Sequence, residues 1–378
     1  MGKDYEKLCE WANLYEAYRM ARRGKRWKNS VARVEANVLE AVAILQKELQ
    51  DHTYKPGGYR EFFVYEPKKR LIQTNSFKDK IVQHCLCDQV LYSAITKPFI
   101  LDNYGSQIGK GTHYGLERLK GFMQEYYRRH GSADGWVLKA DVRNYFGSIR
   151  HDILKQDIAK QLRDPDILAL CYQIIDSVCA PKVKAVSYET GPFGQMRMIL
   201  NAPEPPAVGI PIGNQSSQLF ALLYLNRLDH MVKEQLRFHY YGRYMDDFYI
   251  IDESKERLQE ALKIIRQHLA ERGLELNGKT QIFPLRNGLY FLGFHSYIND
   301  DGQVIRKVRK ASRDRMKRKL HKFGVMYEHG AITREEIAES YQSWRSHAMH
   351  GDCRQLVAKF DSIYKTTIER SKDTCPKH

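Results

Sequence analysis

A chain of 378 residues with 43% hydrophobic and 28% charged residues is long enough for two or three folded units. That composition excludes collagenous, low-complexity and wholly disordered chains. Its 61 Lys and Arg against 45 Asp and Glu leave a net charge of +16, which calls for an anionic partner. No apolar run approaches the roughly 20 residues of a bilayer span, so nucleic acid is expected rather than a membrane.

The opening MGKDYEKLCEW lacks the apolar core of a secretory signal. Seven scattered cysteines without a CxxC pair read as reduced thiols of a cytoplasmic protein. The first thirty residues are aromatic and basic, from Trp11 and Tyr15 to Arg26 and Lys28. Val34, Val38, Val42, Leu45 and Leu49 then form one helical stripe, broken by Pro56-Gly57-Gly58. Tyr59 to Thr74 reads as two strands around a turn at Glu66-Pro67-Lys68, Phe77 to Ile95 as a helix, and Asn103 to Gly115 as a polar loop. The run WVLKAD (136–141) is an apolar strand ending in a carboxylate, followed by an amphipathic helix with Leu154, Ile158 and Leu162. Six prolines and four glycines between 180 and 215 predict loops with a hairpin. A helix marked by Leu225, Leu228, Val232 and Leu236 leads into FHYYGRYMDDFYIID, two β-rich runs meeting at a pair of acids. Leu258, Leu262, Ile265 and Leu269 mark the next helix, closed by Gly273, and LYFLGFHSY is a further strand pair. From Arg306 to Lys322, ten of seventeen residues are Lys or Arg, the sharpest change of composition in the chain. This order predicts an α+β layer: helices behind a mostly antiparallel sheet, with a basic helical segment appended.

Asp141 ends one strand, and Asp246-Asp247 stands at a hairpin tip a hundred residues later. Neighbouring strand residues face opposite ways, so a consecutive acid pair reaches one ion only at a turn. If the strands pair, three carboxylates gather at one sheet edge, where hard Mg²⁺ is the natural counter-ion. Two such ions clamp the attacking and leaving oxygens of a phosphoryl displacement. An Asp-Asp pair on its own is a common turn element.

The neighbouring blocks decide between these readings. YMDD with its apolar flanks resembles the catalytic hairpin of reverse transcriptases, and LKADVRNYFGSI resembles their first catalytic strand. GIPIGNQSSQLFALLYLNRLD is similar to the template- and nucleotide-positioning loop plus helix, GLELNGKTQIF to the motif bearing a lysine, and LYFLGF to the primer grip. REFFVYEPKKRLIQTNSFKDKIVQHCL resembles the fingers, and SYQSWRSHAMHGDCRQL the thumb helix, of bacterial enzymes related to group II introns. Ile212-Gly213 followed by Ser217-Gln218, in place of the usual Gln-Gly and Ser-Pro, is similar to the reverse transcriptases of diversity-generating retroelements.

The resemblance implies a right-hand polymerase: an N-terminal basic helical extension (1–54), fingers (55–135), an antiparallel palm (136–302) with an insertion at about 176–208, and a basic helical thumb with tail (303–378). It leaves no segment for an RNase H or endonuclease domain. It implies two Mg²⁺ held by Asp141, Asp246, Asp247 and the Val142 carbonyl, with Lys279 as proton donor to the leaving pyrophosphate. An exposed lysine beside a strand is equally an ordinary surface residue. Phe146 would be the gate beneath the sugar that excludes a 2′-hydroxyl. Lys69 and Arg70 would meet the triphosphate, Arg70 with the better fork geometry. Ile212, Gly213 and Gln218 would line the nucleotide site, Gly213 by allowing close approach to the base pair; Ser217 is also placed to cap the following helix. Arg306, Lys307, Arg309, Lys310, Arg313, Arg315, Lys317 and Arg318 would hold the template–primer backbone. His347, His350 and Cys353 share helical spacing but lack a fourth zinc ligand and read as a helix face.

The expected activity is RNA-directed DNA synthesis on a structured template RNA, using dNTPs, error-prone at adenines, with a small basic helical accessory protein as partner. The alternatives are an antiviral-defence reverse transcriptase copying its own noncoding RNA, and a non-catalytic polymerase-like RNA-binding maturase or chaperone.

Overall fold

The computed structural model describes residues 2–65, 70–177 and 207–369, and between the last two the backbone of two strands, 187–190 and 196–199. Helices and antiparallel sheets combine as the α+β pattern predicts. The strands in chain order are β1 (Arg60–Val64), β2 (Arg70–Thr74), β3 (Trp136–Asp141), β4 (Ser187–Thr190), β5 (Met196–Ile199), β6 (Tyr240–Tyr244), β7 (Asp247–Asp252), β8 (Gln281–Pro284), β9 (Leu289–Phe291), β10 (Phe294–Ile298) and β11 (Val304–Val308). No helix among the described residues is long and apolar enough to cross a membrane.

At the N-terminus the predicted stripe is two helices, Asn29–Ala36 and Val38–Gln50, because Asn37 leaves helical geometry at φ −132°. Val42, Leu45 and Leu49 still bury together. With Tyr5, Leu8, Leu14 and Tyr18 they join the core that holds Val82 and Leu86 of the helix Phe77–Leu86. The N-terminal segment is therefore built into the body of the molecule. β1 and β2 form an antiparallel hairpin with Phe62, Phe63 and Leu71 exposed.

The central sheet runs β6-β7-β3-β8, antiparallel throughout. Both its faces are covered, which explains why β3 reads as a nearly continuous apolar run. Leu138 and Ala140 of β3, with Phe248 and Ile250 of β7, bury in the core shared with Leu154, Phe220 and Ile265. Val137, Tyr249 and Ile251 point the other way, against Leu119, Phe122 and Tyr126 of the helix Thr112–His130 and against Phe291 of β9.

A second antiparallel sheet, β9-β10-β11, carries the chain toward three C-terminal helices, Lys310–Glu328, Arg334–Ala348 and Arg354–Glu369. Their core includes Leu320, Trp344 and Phe360 with Phe294 and Val308 of the sheet. β11 corrects the expectation that the basic run is helical from Arg306. Val304, Arg306 and Val308 all face inward, and the charge at the central position masks the alternation. The sheet thus continues across residue 303, and the helix starts only at Lys310.

Candidate active site

Strand register assembles the acids. Asp141 pairs with Asp247 and Lys139 with Tyr249, so all four side chains leave the same face of the sheet. Asp246 sits in the two-residue turn between β6 and β7, and its carbonyl accepts from the Val142 amide at 3.4 Å. Its half-buried carboxyl lies against that of Asp141, and desolvation together with the Asp141 charge pushes it up to about 6. Asp247 turns to Lys139, with which it forms an ion pair. The Lys139 ammonium lies over the Phe291 ring at 4.8 Å, and burial lowers it to about 7 against the opposing pull of Asp141. The structure therefore brings Asp141 and Asp246 face to face and holds the third carboxylate on a lysine. Among the described residues no group of three or more His, Cys, Asp and Glu side chains is set to hold a metal.

A divalent cation nevertheless fits the pair. Two half-buried carboxylates, one raising the proton affinity of the other, are hard oxygen donors short of positive charge. Asp141 and Asp246 would hold Mg²⁺ with the neighbouring Val142 carbonyl, Asp247 lying alongside on Lys139.

The turn that presents Asp246 is strained and heavily supported. Met245 has φ +57°, a left-handed conformation uncommon for a side-chain-bearing residue. Arg243, wholly buried, donates to the Met245 carbonyl at 2.6 Å and binds both oxygens of buried Asp229 at 2.7 and 2.6 Å. Tyr241 donates its hydroxyl to the same carboxylate at 2.6 Å. A side chain on Gly105 would meet the Met245 sulfur at 2.8 Å, so any larger residue there must displace the Met245 side chain. Beside Asp141, the Asn277 amide donates to the Asp141 carbonyl at 2.7 Å, and its side chain reaches the carboxylate at 3.5 Å. Asp229, Arg243, Lys139 and Asn277 were missed from sequence. A charged residue inside an apolar strand, as in WVLKAD and YYGRY, is the signal that could have found two of them.

The remaining predicted residues fall as follows. Phe146 is half-buried beside Tyr145, and its carbonyl accepts from the Ile210 amide at 2.8 Å, which ties it to the Ile212 loop. Ile212 and Gln218 are exposed, and Gln218 accepts from Ser106 at 2.7 Å. Gly213 has φ +142°, and a Cβ there would lie 2.6 Å from the Gln73 carbonyl. The close approach it permits is thus to the backbone of β2. Ser217 is no cap: the helix begins at Gln215 with Asn214 at its N-cap, and Ser217 is buried within it. Lys279 is exposed, its amide held by the Asn277 side chain at 3.2 Å. Arg70 is exposed at the start of β2, whereas Lys69 lies outside the described residues, as does most of the 176–208 insertion.

Arg306 is a correction. It is buried, paired with Glu117 at 2.9 Å, and donates to the carbonyls of His350 at 3.0 Å and Leu116 at 2.9 Å. Such a guanidinium is spent inside the protein and cannot also bind a polynucleotide. Lys307, Lys310, Arg315, Lys317 and Arg318 are exposed; Arg309 and Arg313 are half-buried, Arg309 over the Tyr290 ring. His350 stacks on His113, His347 packs on Phe294, and the Cys353 sulfur accepts from the Val308 amide; only His347 lies on the helix Arg334–Ala348, so the three do not form one helix face.

Residues 55–296 match the reverse transcriptase (RNA-dependent DNA polymerase) family, and the chain belongs to it. The chain is 22% identical over 298 residues to the protein YkfC of Escherichia coli K12, covering 69% of this chain and 72% of the relative. Among solved structures, an apo telomerase of Candida tropicalis matches 86% of the chain at 15% identity and a TM-score of 0.49. A Candida albicans telomerase in complex with a TWJ fragment of telomeric RNA matches 83% at 13% identity and a TM-score of 0.49. The alignments span 60% and 55% of those two telomerase chains.

Proposed function

We propose that this chain is an RNA-directed DNA polymerase that copies a structured template RNA into cDNA. The observation that carries the reading is the meeting of Asp141 and Asp246 across β3 and the β6–β7 turn, in a family defined by that chemistry. Bound Mg²⁺ would supply Lewis-acid activation and charge neutralisation at the phosphoryl group being transferred. The chain's own residues position: Arg243 and Asp229 hold the turn, Phe146 walls the sugar site, and Ile212 with Gly213 lies beside the templating pair. Fingers comprise the β1–β2 hairpin and its helix, the palm the β6-β7-β3-β8 sheet, and the thumb the three C-terminal helices with their exposed cations.

Within the family we assign the chain to the diversity-generating retroelement type, on Ile212-Gly213 and Ser217-Gln218. This type implies mutagenic copying at adenines and a small basic helical accessory protein. The test is primer extension on RNA with Mg²⁺. Asp141→Ala and Asp246→Ala should each abolish extension while leaving template–primer binding near parental strength. Extension at a near-normal rate by both variants would end the assignment.

A further inference from the structure

Lys139 is a lysine inside an apolar layer beside the carboxylates, and the polymerase reading above gives it no task. On β3 it shares its face with Val137 and Asp141, and the register sets it diagonally across from Asp247 of β7. That face packs into a core with Tyr249, Ile251 and Phe291. The Lys139 side chain is mostly buried, pairs with Asp247, and rests its ammonium 4.8 Å above the Phe291 ring. Phe291 is itself fixed edge-on against Tyr249, with ring centres 5.0 Å apart. No further group supplements the ion pair: neither the Lys139 nitrogen nor Oδ1 of Asp247 has a hydrogen bond. A buried ammonium is costly unless a negative charge compensates it, so Asp247 is what permits a lysine here, and the dependence is mutual.

The charges gathered at this sheet edge give the pair a role. Asp141, Asp246 and Asp247 carry three negative charges when ionised. With Lys139 the edge carries two, the charge that a single divalent cation cancels. Asp141 and Asp246 lie against each other, and Asp247 is turned aside onto the ammonium. The lysine therefore fills the electrostatic place of a further cation. It does so from an interior strand, paired with β7 on one side and β8 on the other, and is present whatever the metal concentration.

We propose that Lys139 is a positioning residue whose ammonium stands in for a cation at Asp247: the edge keeps its shape without metal, and Asp141 with Asp246 is left as the site for one divalent cation. The proposal rests on the reading of that pair as the polymerase's cation site and adds the residue that sets its charge and capacity.

The test uses the full chain without nucleic acid, with Mn²⁺ as the probe of a hard-oxygen site and its unbound fraction read by electron paramagnetic resonance. The parent should bind one Mn²⁺ tightly. Lys139→Met keeps an unbranched chain against Phe291 but leaves Asp247 without a counter-charge. It should bind Mn²⁺ about tenfold more tightly or better, since a positive charge beside the site is gone. Its melting temperature should also rise more steeply with Mg²⁺ than the parent's. Lys139→Arg restores a cation and should return the parental affinity. If Lys139→Met binds Mn²⁺ no more tightly than the parent, or the parent itself holds two ions equally well, the proposal is overturned. Should Lys139→Met fail to fold, Asp247→Asn and the double variant Lys139→Met/Asp247→Asn decide. Asp247→Asn leaves the ammonium unpaired beside Asp141 and should weaken Mn²⁺ binding, whereas the double variant should recover the parental affinity. A double variant as weak as Asp247→Asn makes Asp247 an ordinary ligand and Lys139 a bystander. Failure of the polymerase reading looks different: the parent then binds no Mn²⁺ and extends no primer.

Discussion

Arg243→Met tests the device that presents Asp246. The substitution leaves Asp229 charged and buried, with only the Tyr241 hydroxyl and a long hydrogen bond from Asn103 at 3.5 Å to compensate it. Breaking one side of a buried pair costs about 3–5 kcal/mol, and these remaining donors place the effect at the lower end. The Met245 and Leu222 carbonyls are deprived of a donor as well, adding roughly 1 kcal/mol. A total of about 4 kcal/mol should lower the melting temperature by roughly 5 °C, at about 1.3 °C per kcal/mol for a chain of this size. Adding Asp229→Leu removes the orphaned charge, so the double variant should regain about half of the loss or more. Activity should not follow. In the double variant the Met245 carbonyl still lacks its donor, the left-handed turn is no longer held, and extension should stay well below parental even where the fold is intact. Circular dichroism melts and primer extension on the three proteins measure both quantities. A single variant within about 1 kcal/mol of the parent, or a double variant no more stable than the single, would refute the reasoning.

On the proposed role of Phe146 as the wall of the sugar site, Phe146→Ala should raise ribonucleotide incorporation relative to deoxyribonucleotide; an unchanged selectivity makes Phe146 a packing residue only. Replacing Lys310, Arg315, Lys317 and Arg318 with Gln should flatten the log–log salt dependence of template–primer binding, by about 0.7–0.9 for each phosphate no longer neutralised. Arg306→Gln should instead leave that slope unaltered and lower stability, since its charge is paired with Glu117. Ile212→Gln introduces an amide able to hydrogen-bond the incoming sugar where isoleucine offers only shape, which discriminates by about 1–3 kcal/mol. It should lower misincorporation opposite template adenine more than opposite other bases when cDNA from one template is sequenced. Equal accuracy at all four bases in the parent would end the retroelement assignment.

Periodicity and punctuation carried much of the fold. β3, the β6–β7 hairpin, β9–β10 and the helix closed by Gly273 are all legible because each alternates or repeats apolar residues between turn signals. The order of motifs around YMDD was enough to place the chain in its family, since those blocks are local runs whose chemistry does not depend on distant residues. What the one-dimensional pattern could not carry was partnership across the chain. Arg306 looked like one more surface cation until β11 turned it inward onto Glu117, 189 residues earlier. Lys139 passed unnoticed inside an apolar strand, and only the antiparallel register sets it beside Asp247. Asn75 and Asn214 carry no signal in sequence at all; only folding buries them beside Lys25 and Lys80, Asn214 with its amide nitrogen on the Tyr59 hydroxyl. The physical reason is common to all three: a local run determines which face a side chain leaves from, but whether a buried charge or amide finds its counterpart is decided by residues a hundred or more positions away.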